Sequence, residues 1–395
     1  MNSFTNPDDA MVALASLLQT VASEPAVPVA GRVLAESIFA DRDSPAADVS
    51  AMDGYAIRMA DLSMDQVPVS GEAQPGQPPI ELAQGTAQRI FTGAVVPHGA
   101  EAIVMRENTD ESSVGSVLWI DRARQLTRGE SIRFQGENGK AGDSILNAGT
   151  LLTSAKIAAA ANFGASRVAL RCVVRVTIIV TGNELLDINS SPQPWQLRDS
   201  NGPTIAAVCS QRSWIDCQPP QRCADSVPHL RQQLQVALNN SDAVILTGGV
   251  SKGDYDHVPG VIAELGAETV FHRLPLRPGR PILGAVSKSR QLILGLPGNP
   301  VSAIVGMTRF GIPLLAKQSG QIDWQPLPQL VKIAGPNDKT LHLHWYRLVR
   351  LIAPSVVELI DSRGSGDLVA LSQSTGFIHQ PPNTSGPGPW PYFTW

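Results

Sequence analysis

"CVVRVTIIVTGNELLD", residues 172–187, is a run of β-branched and apolar residues that ends in a Thr-Gly pair. The same pattern returns in "DAVILTGGVSKGD" at 242–254, and "QLILGLPGNPVSA" at 291–303 is a similar apolar run that ends in a Gly/Pro turn. Near-continuous apolar strands are typical of a parallel sheet covered on both faces. The segments between them have helical periodicity, as in "SVPHLRQQLQVALNNS" at 226–241. We therefore predict a doubly wound α/β domain over residues 171–319.

Three further regions surround this domain and give an α/β multidomain protein. Residues 46–135 contain short strand patterns broken by turn clusters such as "VSGEAQPGQPP", which predicts an inserted β-rich domain. The helical patterns on its two sides, 1–45 and 136–170, are grouped as one elongated helical and β domain. Residues 320–395 alternate apolar and polar positions, which favours a small β barrel or sandwich. Because the chain ends in Trp, Tyr and Phe residues, we expect a last packed strand there.

Composition excludes several classes of function. The chain has 395 residues with 31 Lys and Arg against 35 Asp and Glu, a net charge of -4. This charge argues against binding to nucleic acid or anionic membrane by bulk electrostatics. No uncharged apolar run approaches membrane-spanning length and the start is not basic, so we expect a cytoplasmic protein. The four cysteines form no CxxC pair, which favours buried or incidental thiols over a metal site.

The loops that follow the three apolar strands are candidate ligand sites. In an open α/β sheet, ligands bind outside the carboxyl ends of the strands. Glycine allows backbone N–H groups to approach phosphate oxygens, although it is also the ordinary end of a strand. Three such loops in one sheet favour a phosphate or nucleotide site over plain turns. The candidate residues in these loops are Thr181, Gly182, Glu184, Thr247, Gly248, Gly249, Ser251, Asp254, Asp256, Gly298, Asn299 and Ser302.

An arginine cluster adds a cationic element. "FHRLPLRPGRP", residues 271–281, contains Arg273, Arg277 and Arg280 with prolines between them. Prolines stiffen the chain, and arginine forks suit phosphates and other oxyanions, which favours anion binding over a plain surface loop. Cations for phosphate together with carboxylates for a divalent ion suggest a Mg²⁺-nucleotide combination, without a GxxxxGK[ST] loop. The carboxylates expected near the same edge are Glu184, Asp225, Asp254 and Asp256.

A second candidate lies in the inserted region, in "DVSAMDGYAIR" at residues 48–58. Asp53-Gly54 suits a tight turn between two strands, which predicts a β-hairpin. The alternative is that a stiff loop displays Asp53 to a ligand. Residue types alone favour the hairpin and leave both open.

Taken together, these motifs resemble one family. The chain contains, in order, "SAMDGYAIR", "RIFTGAVVPHGAEAIVMRENT", "GENGKAGD", "VTGNEL", "RDSN", "TGGVSKGDYD", "LRPGRP" and "GLPGNPVSA". In this order and at these spacings they resemble the molybdopterin molybdenumtransferase (MoeA) family, to which the C-terminal part of gephyrin is also similar. The resemblance runs from about residue 5 to 380.

The resemblance implies a homodimer whose active cleft lies between the α/β domain of one subunit and the inserted β unit of the other. It implies insertion of molybdate into the dithiolene of adenylylated molybdopterin, with cleavage of the phosphoanhydride, release of AMP and use of a divalent ion, usually Mg²⁺. Partners would be the second subunit and other proteins of molybdenum cofactor biosynthesis. A C-terminal β barrel is also implied.

The resemblance assigns roles residue by residue. The implied catalytic residues are Asp53, Thr92, Glu184, Asp225, Asp256, Arg273 and Arg277. The implied substrate-binding residues are Thr181, Gly182, Gly248, Gly249, Ser251, Arg280, Pro297, Gly298, Asn299, Pro300, Arg347 and Ser365. Glu184, Asp225 and Asp256 are the implied metal ligands.

The chain departs from the family pattern in a few places. Asn138 and Asn183 stand where the family often has acidic residues. Arg273, Arg277 and Arg280 stand where lysine is frequent. Loss of the two charges leaves open a non-catalytic molybdopterin-binding scaffold. A second alternative is a molybdopterin adenylyltransferase, which usually lacks the inserted unit and the barrel. The planar arginine fork also leaves the preference between molybdate and tungstate open.

Overall fold

The computed structural model describes residues 4–111, 114–120, 123, 125–251, 256–325 and 327–395. Two compact units make up the chain. The first comprises Met1–Glu36, Ala148–Ile157 and Arg167–Trp395, and the second comprises Ser37–Asn147 and Ala158–Ser166. The candidate Asp254 lies outside the described residues. The four domain boundaries proposed from the sequence stay a prediction.

Helices occur mostly in the first unit. The α-helices are α1 Pro7–Leu17, α2 Ser154–Asn162, α3 Asn201–Ser210, α4 Val227–Asn240, α5 Val258–Glu264, α6 Pro300–Gly306, α7 Ile312–Gln318 and α8 Leu368–Gln373. A π-helical turn, Met307–Gly311, joins α6 to α7, and short 3₁₀ turns occur at Met59–Ser63 and Arg106–Asn108. α1 begins as its sequence indicates, because the side chain of Asn6 accepts a hydrogen bond from the Asp8 N–H at 3.0 Å.

A seven-stranded sheet forms the centre of the first unit. Its strands are β13 Val174–Thr181, β16 Ile215–Cys217, β17 Gln221–Cys223, β18 Ala243–Thr247, β19 Glu268–His272, β21 Leu283–Val286 and β22 Leu292–Leu296. The order is β16-β13-β18-β22-β21-β19, with β17 also on β13. β16, β13, β18 and β22 are parallel, whereas β21 is antiparallel to both neighbours. The short turn from Ser287 to Gln291 cannot hold the crossover that parallel strands need.

Helices cover both faces of this sheet, which confirms the predicted α/β class. Val176 and Ile178 of β13 pack in one cluster with residues of α1, α3, α6 and α7. Ile179 packs in a second cluster with residues of α4 and α5. Alternate residues of a strand point to opposite faces, so a strand buried on both sides must be apolar throughout. The helix α1 belongs to the first cluster through Met11 and Leu14.

A closed β barrel follows the sheet, as predicted for the C-terminal region. Its strands are β23 Gln329–Ile333, β24 His344–Ala353, β25 Val356–Leu359, β26 Gly376–Gln380 and β27 Trp390–Thr394. The barrel closes because β24 pairs with both β25 and β26. β20 Leu276–Arg277 adds to β24 in parallel and so joins the arginine loop to the barrel. The aromatic end of the chain forms β27, which confirms the expected last strand.

Short strands dominate the second unit, which is the β-rich unit predicted from the sequence. Its main sheet contains β4 Gly54–Ile57, β5 Gln66–Ala73, β6 Ala87–Ile90, β7 Ala102–Met105, β8 Thr109–Asp110 and β9 Ser116–Trp119. Two-stranded pairs are formed by β2 Ile38–Phe39 with β11 Ser144–Leu146, and by β3 Val49–Ser50 with β10 Ile132–Arg133. In the first unit, β1 Ser23–Ala26 pairs with β12 Val168–Arg171, and β14 Leu185–Leu186 with β15 Leu197–Arg198.

The hairpin favoured for residues 48–58 is wrong. β3 and β4 flank Asp53, but β3 pairs with β10 while β4 pairs with β6 and β7. Gly54 is needed for close packing between strands, because a Cβ there would lie 1.9 Å from the carbonyl oxygen of Val104. Asp53 is exposed in the bend just before β4. The bend therefore displays a carboxylate, as the alternative reading proposed.

Replacing Gly54 with alanine tests this packing. We expect Gly54→Ala to lower the free energy of unfolding by about 1–3 kcal/mol, because the added methyl group overlaps a strand carbonyl. Urea denaturation followed by circular dichroism measures the change. Gly260→Ala in α5 is the control, since nothing lies within 4 Å of a Cβ there. Equal stability of Gly54→Ala and the wild type would contradict the close approach.

Candidate active site

A cavity of about 640 Å³ opens at the carboxyl ends of the parallel strands. Thr247 of β18 is the register partner of Val180 in β13 and of Leu296 in β22. Because these strand ends coincide, the loops that follow them gather at one edge of the sheet. The predicted residues that line the cavity are Thr181, Gly182, Glu184, Asp225, Gly248, Gly249, Asp256, Gly298, Asn299 and Pro300. Ser251 and Pro297 follow the same strands without lining it.

Two glycines of this cavity are required by the backbone. Gly248 has a φ of 89° and Gly249 a φ of 64°, in a region that side chains rarely adopt. A Cβ at Gly248 would also lie 2.5 Å from the carbonyl oxygen of Thr181. Backbone that carries no side chains can come close to a ligand oxygen. The Gly-Gly loop is therefore suited to a phosphate group.

Asn201 ties two of the strand-end loops together. Its Nδ2 donates to Thr247 Oγ1 at 2.8 Å and to the carbonyl oxygen of Gly298 at 2.7 Å. A carbonyl only accepts, so these bonds fix the orientation of the amide. Its Oδ1 is buried without a hydrogen-bond partner in the described part of the chain, and Asn201 lines the cavity. A donor on a bound ligand would satisfy this oxygen.

Sequence reasoning gave Asn201 no role. It stands in the "RDSN" motif that contributed to the family resemblance, and it is the first residue of α3. Neighbouring Asp199 and Ser200 also line the cavity. The available signal was the position of this motif at the start of a predicted helix, where polar groups commonly meet ligands.

The three carboxylates predicted as metal ligands line the same cavity, together with Asp199. Glu184 is exposed, whereas Asp225 and Asp256 are half-buried. Asp225 is held by Asn183, because the Asn183 N–H donates to Asp225 Oδ2 and the Asp225 N–H donates to Asn183 Oδ1, each at 3.1 Å. Over the described ranges, no three His, Cys, Asp or Glu side chains are grouped closely enough to hold a metal ion. Since Mg²⁺ often takes one or two carboxylates plus phosphate oxygens, the cavity fits Mg²⁺ together with a phosphorylated ligand.

The three arginines of the 271–281 segment do not line one cavity together. Arg277 lines a second cavity of about 490 Å³, whereas Arg273 and Arg280 line neither. Arg273 has a φ of 71°, an uncommon value for a residue other than glycine. Its N–H donates to the carbonyl oxygen of Ile282 at 2.8 Å. This bond places Arg273 at the base of the loop that contains Arg277 and Arg280.

The second cavity is rich in cations and contains two predicted residues of the barrel region. Arg277, Lys339 and Arg347 line it with Ser365, and Asp361 is a carboxylate in the same wall. Burial lowers the pKa of the Arg347 guanidinium, and the charge of Asp361 opposes that effect. Arg277 makes no ion pair and no side-chain hydrogen bond within the described residues. Lys339 was not predicted, because it lies in a loop without a motif.

The two cavities are neighbours in the first unit. Pro300 lines the first cavity and Val301 the second, while Gly366 lines the first and Ser365 the second. These two chain segments are joined by a hydrogen bond from the Val301 N–H to the carbonyl oxygen of Ser365, at 3.0 Å. A thin wall of two segments thus separates a glycine-rich cavity from a cation-rich one.

Asp53 and Thr92 lie together in the second unit. The N–H and hydroxyl of Thr92 donate to Asp53 Oδ1 at 2.7 and 2.8 Å. These two bonds, with smaller contributions from Arg106 and Arg89, lower the pKa of Asp53. The second oxygen, Oδ2, accepts no hydrogen bond from the described residues. Asp53 is therefore an ionised, anchored carboxylate with one oxygen open to a ligand.

Comparison with known proteins decides the family. A model of the MoeA N-terminal region (domain I and II) matches residues 5–164, and a model described as a probable molybdopterin binding domain matches residues 177–317. The chain is 34% identical over 376 residues to a molybdopterin molybdenumtransferase of Nostoc sp., covering 89% of this chain and 83% of the relative. The chain belongs to the molybdopterin molybdenumtransferase family.

Other members agree with this assignment. The molybdopterin molybdenumtransferase of Staphylococcus aureus strain Mu50 is 30% identical over 402 residues, covering 96% of this chain and 93% of the relative. A crystal structure of a molybdopterin biosynthesis MoeA protein from Pyrococcus horikoshii superposes with a TM-score of 0.76 at 25% identity, covering 98% and 97% of the two chains. The predicted family, the enzyme class and the role in molybdenum cofactor biosynthesis are confirmed. No helix among the described residues of this molybdenumtransferase is long and apolar enough to cross a membrane.

Thr92→Val tests how the carboxylate is anchored. Thr92 holds the pKa of Asp53 below its usual range, so the ionised form is favoured in the folded protein and is lost only as pH falls through that lowered value. The variant keeps the backbone bond and loses the hydroxyl bond, so we expect the pKa of Asp53 to rise toward its ordinary value. Carboxyl ¹³C NMR titration measures it.

A second threonine of the same unit serves as the control. The hydroxyl of Thr86 bonds to Ser70 Oγ and to the carbonyl oxygen of Ala83. Thr86→Val should leave the pKa of Asp53 unchanged. A Thr92→Val titration that overlays the wild-type curve would show that the hydroxyl does not set the charge of Asp53.

Proposed function

We propose that this molybdenumtransferase inserts molybdate into the dithiolene of adenylylated molybdopterin and releases AMP. The observation that carries the proposal is the pair of neighbouring cavities. One has glycine loops and carboxylates at the ends of parallel strands, and the other has three cations. A phosphorylated pterin in the first cavity and an oxyanion in the second would lie close together, on either side of the thin wall that contains Val301 and Ser365.

In the first cavity, we assign binding of the phosphorylated substrate to the strand-end loops. The backbone of Gly248 and Gly249 would contact phosphate oxygens, and Asn201 Oδ1 would accept a hydrogen bond from the substrate. One or two of the carboxylates of Asp225, Asp256 and Glu184 would hold Mg²⁺ together with those phosphate oxygens. The ion would offset negative charge that develops when the phosphoanhydride breaks.

In the second cavity, we assign binding of molybdate to Arg277, Arg347 and Ser365. Guanidinium groups present several donors in a plane and suit a tetrahedral oxyanion. Lys339 would add a third positive charge, so the four ionised groups that line the cavity have three positive charges against the one negative charge of Asp361. The catalytic role of Arg273 and the substrate-binding roles of Arg280, Ser251 and Pro297 stay predictions from the family resemblance.

We further propose that the active enzyme is a cytoplasmic homodimer and that Asp53 acts on substrate bound by the other subunit. Support comes from the anchoring of Asp53 by Thr92 and from its open Oδ2. An anchored carboxylate can orient the dithiolene end of the pterin or a water molecule. The chain would need no covalent nucleophile of its own.

A single-turnover experiment tests the reaction. The purified protein is mixed with adenylylated molybdopterin, Mg²⁺ and either molybdate or tungstate, and AMP and metal-loaded cofactor are measured together. We expect both products to appear at equal rates and only when the oxyanion is present. Tight molybdopterin binding without AMP release would favour a scaffold, and pyrophosphate released from ATP and molybdopterin would favour an adenylyltransferase.

Mixed dimers test the shared site. Asp53→Asn and Arg277→Gln should each be inactive as homodimers. In each homodimer, both sites lack one of the two required residues. A heterodimer purified through two different tags has one site with both native residues. We expect it to release AMP at about half of the wild-type rate, as two-fold symmetry with two independent sites requires.

A heterodimer of Arg277→Gln with Asp225→Asn is the matched control, because both changes lie in the first unit. Each of its two sites lacks one required residue, and it should stay inactive. Activity in this control, inactivity of the Asp53→Asn and Arg277→Gln heterodimer, or a monomeric enzyme that turns over would contradict the shared site.

A further inference from the structure

Strand register places an indole ring between two arginines of the cation-rich cavity. β20 and β24 are parallel, and Arg277 is the register partner of Trp345. Arg347 is two residues further along β24, so its side chain lies on the same face as Trp345. Tyr346, between them, is only 2% exposed and packs in the core on the opposite face. The backbone alone therefore brings both guanidinium groups to one ring.

The side chains make the contacts that this register allows. The guanidinium carbon of Arg347 lies 4.2 Å from the centroid of the Trp345 ring, and that of Arg277 lies 5.8 Å from it. Two guanidinium groups repel each other, and attraction of each to the electron-rich face of an indole ring offsets that repulsion. Trp345 lines the cavity with both arginines.

A buried amide pair anchors one edge of the Arg347 guanidinium. Its Nη1 donates to Asn337 Oδ1 and to Gln380 Oε1. The Nδ2 of Asn337 donates to the carbonyl oxygen of Gly386 at 2.8 Å, and the Nε2 of Gln380 donates to that of Lys339 at 3.1 Å, so both amides have fixed orientations. Nε and Nη2 of Arg347 donate to no protein acceptor within the described residues. The free edge of the fork remains available to an oxyanion.

We propose that Trp345 is a positioning residue for the oxyanion, because its ring holds the guanidinium groups of Arg277 and Arg347 beside one cavity. The inference rests on the proposed function, which places molybdate there. The indole does not touch the oxyanion. It reduces the number of conformations that the Arg277 side chain must lose when the anion binds, since that side chain makes no hydrogen bond within the described residues.

Binding of the free oxyanion tests this role without the pterin. Tungstate and molybdate are titrated calorimetrically into the wild-type protein, Trp345→Leu, Trp345→Val and Trp345→Phe. Loss of the ring should raise the Kd about 5- to 30-fold, the range expected for one or two cation–π contacts. Trp345→Phe keeps an aromatic face and should bind within about threefold of the wild type. Valine suits a strand position, which provides a second ring-free variant if leucine does not fold.

A matched tryptophan and a kinetic measurement separate positioning from general damage. The indole of Trp195 is 74% exposed and touches neither arginine, so Trp195→Leu should leave oxyanion binding unchanged. In turnover, the ring-free variants should raise KM for molybdate with little change in kcat or in KM for the pterin. A merely structural defect would lower kcat or raise the KM values of both substrates, and phenylalanine at position 345 would not restore them.

The possible outcomes distinguish the two proposals. If the wild-type protein binds neither oxyanion, the molybdate site of the proposed function is wrong. If the wild type binds and the folded ring-free variants bind equally well, Trp345 has no positioning role and the proposed function stands. Equal weakening by leucine, valine and phenylalanine would also contradict the role, because it would show that the aromatic face is not what matters.

Discussion

The amide of Asn201 is the contact on which the phosphate side of the site depends. It donates at once to the hydroxyl of Thr247 and to the carbonyl oxygen of Gly298, and so fixes the loops after β18 and β22 relative to each other. Gly248 brings the same loop against Thr181 at the end of β13. Three strand ends are thereby held in one arrangement before any ligand arrives. Such preorganisation reduces the cost of ordering the site on binding.

The division of charge between the cavities suits a reaction that brings two anions together. Carboxylates line the glycine-rich cavity, where a divalent ion with phosphate would balance them, whereas arginines and a lysine line the neighbouring cavity. The two asparagines that depart from the family pattern both have structural partners. Asn183 exchanges hydrogen bonds with Asp225, and Asn138 accepts one from Arg133 at 3.0 Å. Both residues thus support local structure without adding charge.

The sequence predicted those parts of the fold that depend on local pattern. The apolar runs of β13, β18 and β22 identified the sheet. The alternating residues after 320 left a barrel and a sandwich open, and the family resemblance favoured the barrel. It did not predict antiparallel β21 or the separate partners of β3 and β4, because pairing is decided by distant segments. Trp345 was missed for the same reason, since only register across β20 and β24 brings it to Arg277.

Calorimetric titration of AMP into the wild-type protein and Asn201→Asp tests the central claim most directly. The variant loses the Nδ2 donor, places a carboxylate against the Gly298 carbonyl and adds negative charge beside the phosphate site. The account predicts that AMP binds the wild type and that its Kd rises about tenfold or more in the variant. The carbonyl oxygen of Gly298 would lose its hydrogen-bond donor, and the new carboxylate would repel the phosphate of AMP. Equal affinity in a variant with the wild-type Tm would show that the nucleotide is not held by these strand-end loops.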